Sequence, residues 1–206
     1  MNLPQYTTLA FILAIASISP ATASTNPESI PASALQNFSA NPQPIQQLIK
    51  SALALAGQNI GYQYGSANPQ AKGMDCSGTI YYLLNQMHLK DVPRSSYLFY
   101  QWVKEKGHFY PVNSHSLSSP EFSHLKPGDL LFWSGTYETG HALNVSHVMI
   151  YIGKNAEQHP LMAGASDGRS YKGRKIYGVS VFDFQLPHAG SSSRFLGYSC
   201  IPQISC

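Results

Sequence analysis

Two residues combine a reactive side chain with surroundings that suit nucleophilic catalysis: Cys76 in "GMDCSG" and His147 in "VSHVMIYIG". Cys76 follows a Gly-rich loop and precedes apolar residues at helical spacing, which predicts a place in the first turn of a helix. There, free backbone N–H groups and the helix dipole favour a thiolate and can hold an oxyanion. His147 opens a predicted strand, which would hold its imidazole rigidly enough to serve as the base.

Each of the two residues also has an ordinary structural explanation. A single cysteine ahead of a helix is more often a small core residue, and a single histidine at a strand start is usually a satisfied polar group. The catalytic interpretation therefore depends on the surrounding pattern and on the compartment in which the chain works.

The N-terminus has the pattern of a secretory signal peptide. An apolar run over residues 9–18 is followed by Ala21-Thr22-Ala23, an A-x-A cleavage pattern. The run is too short to span a bilayer comfortably, although a short membrane anchor is the alternative. We therefore expect residues 1–23 to be a cleaved signal peptide and the mature chain to be exported, periplasmic or secreted, without a membrane span.

Export would place the three cysteines in an oxidising compartment, which affects whether they form disulfides. Cys200 and Cys206 are close enough in sequence to close a small loop, and thiols tend to pair in an oxidising compartment. Their pairing would leave Cys76 as the odd cysteine. An unpaired thiol in an exported protein is either buried and inert or kept for its reactivity.

The elements that must position these residues fall into two halves. Apolar periodicity predicts helices over about residues 44–56, 77–89 and 96–106. Short segments rich in β-branched and aromatic residues then predict antiparallel strands at "GDLLFW", "SHVMIYIG", "PLMAGAS", "YGVSVFDF" and "FLGYSCI". Helices followed by strands indicate an α+β domain, which we place at 44–206. Residues 24–43, rich in Ser, Pro, Asn and Ala, are expected to be a flexible leader.

Four motifs occur along the chain in the order "YQYGSANPQAKGMDCSG", "VPRSS", "LKPGDLLFW" and "SHVMIYIG". In this combination the sequence resembles the NlpC-type family of cell-wall peptidases, which are papain-like cysteine enzymes. The resemblance extends from about residue 45 to about residue 185 and implies N-terminal helices packed on a C-terminal antiparallel sheet. It also implies an exported cysteine peptidase that hydrolyses amide bonds in peptidoglycan stem peptides, at the γ-D-glutamyl to diamino acid bond.

The resemblance assigns Cys76 as the nucleophile and His147 as its base. It also implies substrate contacts from the two residues that flank the cysteine, which would hold the free amine of the stem peptide, from a nearby tyrosine and from the "PRxS" element. These substrate residues are Asp75, Ser77, Tyr62, Arg94 and Ser96, with Ser95 as the alternative to Ser96.

The third catalytic member, which accepts a hydrogen bond from the distal ring nitrogen of His147, is not assigned by a motif. The family often has it in a His-Ala-Ser context after the histidine strand, whereas this chain reads Ala163-Gly164-Ala165-Ser166. His159 has a plausible sequence separation and is our candidate. A backbone carbonyl or another group, such as Asn144, would meet the same requirement.

Composition narrows the possible partners. The net charge is only +3 and charged residues make up 11% of the chain. The sequence has no cluster of Lys and Arg of the kind that binds nucleic acid. The basic stretch "GASDGRSYKGRK" is interpreted as a solvated hairpin loop, with contact to an anionic wall polymer as the alternative. The remaining histidines lack metal-ligand spacing, so we expect neither a metal nor a cofactor. We expect a monomer whose partner is the stem peptide.

Two alternatives to the peptidase hypothesis stay open. The first keeps the fold and changes the chemistry, as in an amidase, an acyltransferase or an antibacterial toxin that degrades a competitor's wall. The second is a catalytically inactive wall-binding module, which the missing third residue would allow.

Overall fold

Three α-helices precede a large antiparallel sheet in the computed structural model, which describes residue 1 and residues 27–206. The predicted signal peptide, apart from its first residue, lies outside the described residues. The arrangement confirms the α+β prediction. Within the described part of the chain, no helix has both the length and the apolar character that a bilayer crossing requires.

The helices begin and end where local sequence signals place them. They are α1 (Gln43–Ala56), α2 (Cys76–Gln86) and α3 (Ser96–Lys106). Gly57 follows the last residue of α1, as predicted. Asp75 caps α2 and Ser95 caps α3, because each side chain accepts a hydrogen bond from an N–H group of the first turn.

Eight strands form two sheets within residues 27–206. A short parallel pair joins β1 (Gly61–Tyr62) to β2 (Gly73–Met74) within the loop that precedes α2. The main sheet contains β3 (Phe109–Pro111), β4 (Leu130–Ser134), β5 (Val145–Lys154), β6 (Pro160–Tyr171), β7 (Arg174–Asp183) and β8 (Arg194–Ser199). Its strands are antiparallel in the order β3-β8-β4-β5-β6-β7. The sequence analysis missed β1, β2 and β3, which are only two or three residues long.

Strand β5 lies at the centre of the fold. All residues from Val145 to Gly153 are buried, and α2 and α3 pack against this strand. A strand covered on both sides needs a continuous apolar run, which "VMIYIG" supplies. Each fully buried aliphatic or aromatic side chain contributes about 1.5–3 kcal/mol relative to exposure. His147 is therefore carried by one of the most firmly held segments of the domain.

Residues 27–42 are docked on the domain and do not form a free leader. The N–H of Glu28 donates to Ser180 Oγ at 2.8 Å, and its carboxylate pairs with Arg174. Leu35 is only 5% exposed, and the neighbouring Gln36 N–H donates to the Lys154 carbonyl at 2.8 Å. The prediction of flexibility is wrong for these residues, because segments without periodicity can still add hydrogen bonds to a finished sheet.

The sequence analysis left open whether Cys200 and Cys206 are bridged. Cys200 and Cys206 form a disulfide at the end of the chain, and Cys76 is the free cysteine.

Candidate active site

Cys76 is the first residue of α2 and is only 3% exposed. Burial raises the pKa of the thiol to about 11, and the charge of Asp75 also raises it. Hydrogen bonding from the N–H groups of Val148, Ser77 and Cys76 itself lowers it in part. The sulfur thus lies among backbone donors at a helix N-terminus and is not surrounded by hydrocarbon alone, but burial outweighs these donors and favours the neutral thiol.

His147 lies in β5, directly before the residue whose N–H reaches the Cys76 sulfur. The imidazole is 7% exposed and its ring lies 5.7 Å from the ring of Trp133, centre to centre. The fold therefore brings α2 and β5 together at the two residues that the sequence analysis selected as nucleophile and base.

A first cavity, of about 260 Å³, opens beside the cysteine and is called the helix-side cavity below. Besides Cys76, its lining includes every predicted substrate residue: Tyr62, Asp75, Ser77, Arg94 and Ser96. These residues come from β1, the start of α2 and the start of α3. The loop turns that precede the two helices thus converge on one pocket next to the thiol.

The Asp75 carboxylate is fully engaged by the protein. It accepts hydrogen bonds from the N–H of Gly65 at 2.8 Å, from the N–H of Gly78 and from Ser77 Oγ at 3.2 Å. Both terminal nitrogens of Arg94 also donate to it, at 3.1 and 3.0 Å. Asp75 therefore fixes the start of α2 and the preceding loop, and its charge is offset by a forked arginine contact.

Two tyrosines line both this cavity and a second one. Tyr62 and Tyr137 lie where the two cavities meet, and Tyr137 contacts Tyr64 edge to face with ring centres 5.8 Å apart. Burial raises the pKa of both Tyr62 and Tyr137. Their hydroxyls remain protonated at neutral pH and can donate hydrogen bonds to a ligand.

The second cavity, of about 430 Å³, lies on the side of the sheet and is called the sheet-side cavity. Its lining includes His147, Asp167, Arg169 and Lys175. Cys76 and His147 thus face two adjoining parts of one cleft, which is divided by the tyrosines.

Arg169 contacts the imidazole and was missed by the sequence analysis. Its Nε–H donates to His147 Nε2 at 3.1 Å, and its guanidinium lies 4.1 Å from the centre of the Trp133 ring. Burial lowers the pKa of His147 well below its usual value, and the positive charge of Arg169 lowers it further.

A β-bulge directs Arg169 inward. The pairing of β6 with β7 passes from Asp167↔Tyr177 to Ser170↔Lys175, so β6 contains one extra residue at this point. The prediction that "GASDGRSYKGRK" is a solvated loop is wrong at this residue, because Arg169 belongs to β6. A glycine within a strand pattern is a known bulge signal, and Gly168, with φ of 152°, was the available clue.

His159 does not reach His147. It lies exposed between β5 and β6, where its N–H donates to Asn155 Oδ1 at 2.9 Å. The antiparallel hairpin places it at the opposite end of β5 from His147, roughly 20 Å away at about 3.3 Å per residue. The prediction that His159 is the third member is therefore wrong.

Asn144, the other side chain considered, is engaged in its own loop. Its Oδ1 accepts from the N–H and the hydroxyl of Thr139 at 2.8 and 2.9 Å. Residues 27–206 contain no group of three or more His, Cys, Asp or Glu side chains arranged to hold a metal ion.

Comparison with known proteins supports the resemblance seen in the motifs. The model of the NlpC/P60 family matches residues 59–173. The chain is 36% identical over 95 residues to the gamma-DL-glutamyl hydrolase of Bacillus subtilis, covering 46% of this chain and 18% of that protein. It is 34% identical over 124 residues to the probable peptidoglycan endopeptidase LytE of the same organism, covering 60% of this chain and 28% of that protein. The matches thus span less than a third of either relative.

A solved structure gives the same fold at low sequence identity. A Staphylococcus aureus protein described as similar to a lipoprotein of the NLP/P60 family is 19% identical, with a TM-score of 0.53. The match covers 87% of this chain and 45% of that one, and supports the overall fold.

Proposed function

The chain belongs to the NlpC/P60 family, and from that membership we propose that it is an exported cysteine peptidase that hydrolyses amide bonds in peptidoglycan stem peptides. One observation carries the proposal: Cys76, at the N-terminus of α2, opens onto a cavity and meets the strand segment that holds His147. The name of one relative specifies γ-glutamyl hydrolysis and that of the other a peptidoglycan endopeptidase. Together they favour the bond between a γ-D-glutamyl residue and a diamino acid.

The proposed reaction has two steps. His147 takes the proton of the Cys76 thiol, and the thiolate attacks the amide carbonyl. The C–N bond then breaks, and His147 delivers that proton to the departing amine. Water then hydrolyses the thioester, which releases the acid and restores the thiol. The backbone N–H groups of Cys76 and Ser77 stabilise the oxyanion, because the first turn of a helix leaves these donors without intrahelical partners.

The two cavities would divide the substrate between them. The helix-side cavity would hold the acyl side of the scissile bond, with the free amine near Tyr62, Asp75 and Ser77 and with Ser96 in the wall. Because Arg94 offsets the charge of Asp75, the amine would be held mainly by hydrogen bonds. The sheet-side cavity would receive the departing amine.

The direct test is digestion of purified sacculi and of defined stem tetrapeptides by the full chain, with products identified by mass spectrometry. We expect cleavage on the carboxyl side of the γ-D-glutamyl residue. The product masses separate this endopeptidase from an amidase or an acyltransferase.

Matched cysteine variants identify the nucleophile. Cys76→Ala should abolish turnover and leave the thermal unfolding midpoint close to that of the native chain. The control is the double variant Cys200→Ala/Cys206→Ala, which loses the other two cysteines and should keep its activity. Cleavage by the Cys76→Ala protein would show that another group is the nucleophile.

A second candidate function is binding to the wall without hydrolysis. It is favoured by Arg169, which presents a donor to His147 where an acceptor would support the imidazolium. Co-sedimentation with sacculi without any released fragment, from native and Cys76→Ala protein alike, would support this candidate over the peptidase.

A further inference from the structure

The sheet-side cavity contains two cationic side chains that no carboxylate of the described protein neutralises. Arg169 lies in β6 and Lys175 in β7, and both line this cavity. Within residues 27–206, neither side chain lies at ion-pair distance from an Asp or a Glu. Lys175 is exposed, whereas Arg169 is half-buried and contacts the rings of His147 and Trp133. The cavity therefore combines a fixed cation with a mobile one.

The terminal nitrogens of Arg169 are free to bind a ligand. Its Nε–H donates to His147 Nε2, but neither terminal nitrogen donates to an acceptor within residues 27–206. In the same part of the chain, the buried side-chain polar atoms without a partner are the indole nitrogens of Trp102 and Trp133. The terminal nitrogens of Arg169 are not among them, so they reach the surface of the cavity. Their N–H groups can donate to a bound anion.

The charge of the cavity suits a single carboxylate. Asp167 also lines the cavity, and the remaining side chains of the lining are uncharged when His147 is neutral. Two cations and one anion leave an excess of one positive charge. A carboxylate matches this excess, whereas a doubly charged phosphate exceeds it. A guanidinium binds a carboxylate through paired hydrogen bonds, and a flexible ammonium can add another.

We propose that the sheet-side cavity binds a free carboxylate on the departing half of the substrate, through the terminal nitrogens of Arg169 and through Lys175. The inference rests on the proposed function, which places the departing amine in this cavity. Such a subsite favours a diamino acid that carries a free carboxylate over one that lacks it. The carboxylate can come from the end of the side chain or from the α-carboxyl group, and the substrates described below separate these two sources.

A carboxylate bound to Arg169 would also assist the base. Burial lowers the pKa of His147, and the charge of Arg169 lowers it further. The substrate carboxylate offsets that charge, so His147 accepts the thiol proton more readily in the complex than in the free protein. The carboxylate should therefore raise kcat as well as lower KM.

The test compares two tetrapeptides, L-Ala-γ-D-Glu-X-D-Ala, in which X is meso-diaminopimelate or L-lysine. These two residues differ by a carboxylate at the end of the side chain. The full chain should cleave the diaminopimelate peptide with a kcat/KM about 10- to 100-fold higher, which is the contribution of charge-assisted hydrogen bonds. Amidation of the side-chain carboxylate should abolish this preference.

A second pair of substrates tests the α-carboxyl group as the source. It consists of the tripeptide L-Ala-γ-D-Glu-L-Lys and its α-amide. If the cavity binds the α-carboxylate, the tripeptide should be preferred by a similar factor and the first pair should be cleaved equally. Equal kcat/KM values within both pairs would overturn the proposal.

Lys175→Glu and Lys172→Glu are matched variants of the β6–β7 hairpin. Both lysines are exposed and both substitutions make the same change of charge, but Lys175 lines the cavity and Lys172 does not. Lys175→Glu should reduce the preference, expressed as the ratio of the two kcat/KM values, at least about fivefold. Lys172→Glu should change the ratio less than about twofold, because solvent screens its charge. Equal reductions would show a general field effect and overturn the subsite.

Arg169→Gln removes the cation beside the imidazole. The variant also changes the contact with His147, but the ratio of kcat/KM values for paired substrates cancels an effect that both substrates share. We expect the preference to be lost, with a remaining ratio within about twofold of unity. A ratio that stays unchanged in both Arg169→Gln and Lys175→Glu would overturn the proposal. If Arg169→Gln does not fold, Lys175→Glu decides.

Calorimetric binding to the Cys76→Ala protein separates this proposal from the proposed function. The Kd values of the preferred pair should differ roughly tenfold, and Lys175→Glu in the same background should reduce the difference. If the peptides bind with this difference but native protein cleaves neither, the proposed function fails and the subsite stands. If native protein cleaves the members of each pair equally, the proposed function stands and the subsite fails. Absence of binding and of cleavage would overturn both.

Discussion

The helix-side and sheet-side cavities each contain one arginine, and the two arginines are used in opposite ways. Arg94 donates from both terminal nitrogens to Asp75, so its charge is offset inside the cavity wall. Arg169 has no carboxylate partner among the described residues and donates instead to the imidazole of His147. An arginine whose charge is offset by a nearby carboxylate stabilises the wall of its pocket. An arginine without such a partner shifts the pKa of the titratable groups beside it.

The two cavities are also stabilised by different interactions. The helix-side wall is a set of mutually satisfied hydrogen bonds between short loops and two helix starts. The sheet-side wall is part of a long strand pair, which does not need Arg169 in order to form. Substitutions should therefore affect stability on the first side and chemistry on the second.

The largest expected effect on stability is that of Asp75→Ala. It removes a helix cap, leaves Gly65 N–H without an acceptor and leaves the Arg94 charge unpaired. The free energy of unfolding should fall by about 2–4 kcal/mol, an estimate reduced for the partial exposure of Arg94. Urea unfolding followed by circular dichroism measures it.

Arg169→Met is the counterpart of that substitution on the sheet side. We expect its free energy of unfolding to change by less than about 1 kcal/mol, because Met can keep the contact with Trp133 and no cap or ion pair is lost. If it destabilised the protein as much as Asp75→Ala does, the proposed division between the two cavities would be wrong.

Gly78→Ala tests the close approach of the loop to α2. Alanine normally favours a helix over glycine by about 1 kcal/mol, but a Cβ here would collide with the carbonyl oxygen of Ser66 and crowd Asp75. The free energy of unfolding should instead fall by about 1–3 kcal/mol, as for other overpacked sites. Gly57→Ala is the control, since its Cβ meets only ordinary contacts, and it should be neutral or slightly stabilising. A stabilising Gly78→Ala would show that the loop can move away from the helix.

The smallest effect concerns the tyrosines between the cavities. Tyr62→Phe removes a protonated hydroxyl that both cavities share, and should lower kcat/KM for a stem tetrapeptide about 5- to 10-fold, which is the loss of one hydrogen bond. Tyr137→Phe lies on the more exposed wall and should cost only about twofold, since water can replace an exposed partner. Equal losses would mean that the two hydroxyls contribute equally to substrate binding.

Local sequence patterns predicted those elements whose formation depends on residues that lie close together in the chain. The periodicity of apolar residues, with Gly57 as a stop signal, placed the helices to within a few residues, and strand-like runs located the five longer strands. The position of Cys76 at a helix start followed in the same way, because a Gly-rich loop, an Asp cap and an apolar stripe act over only a few residues. The disulfide between Cys200 and Cys206 likewise joins two residues that are close in sequence.

Only the tertiary structure decided which side chain contacts the distal ring nitrogen of His147. Sequence separation favoured His159, but the antiparallel pairing of β5 with β6 sends that residue to the far end of the hairpin. A single-residue bulge in β6 brings Arg169 to the ring instead, and it depends on pairing with β7, which no local pattern specifies. The docking of residues 27–42 has the same origin, since their hydrogen bonds go to strands more than a hundred residues away. The sequence predicted the candidate nucleophile, Cys76, and the elements that carry it, whereas long-range pairing decided which residue contacts the ring of His147.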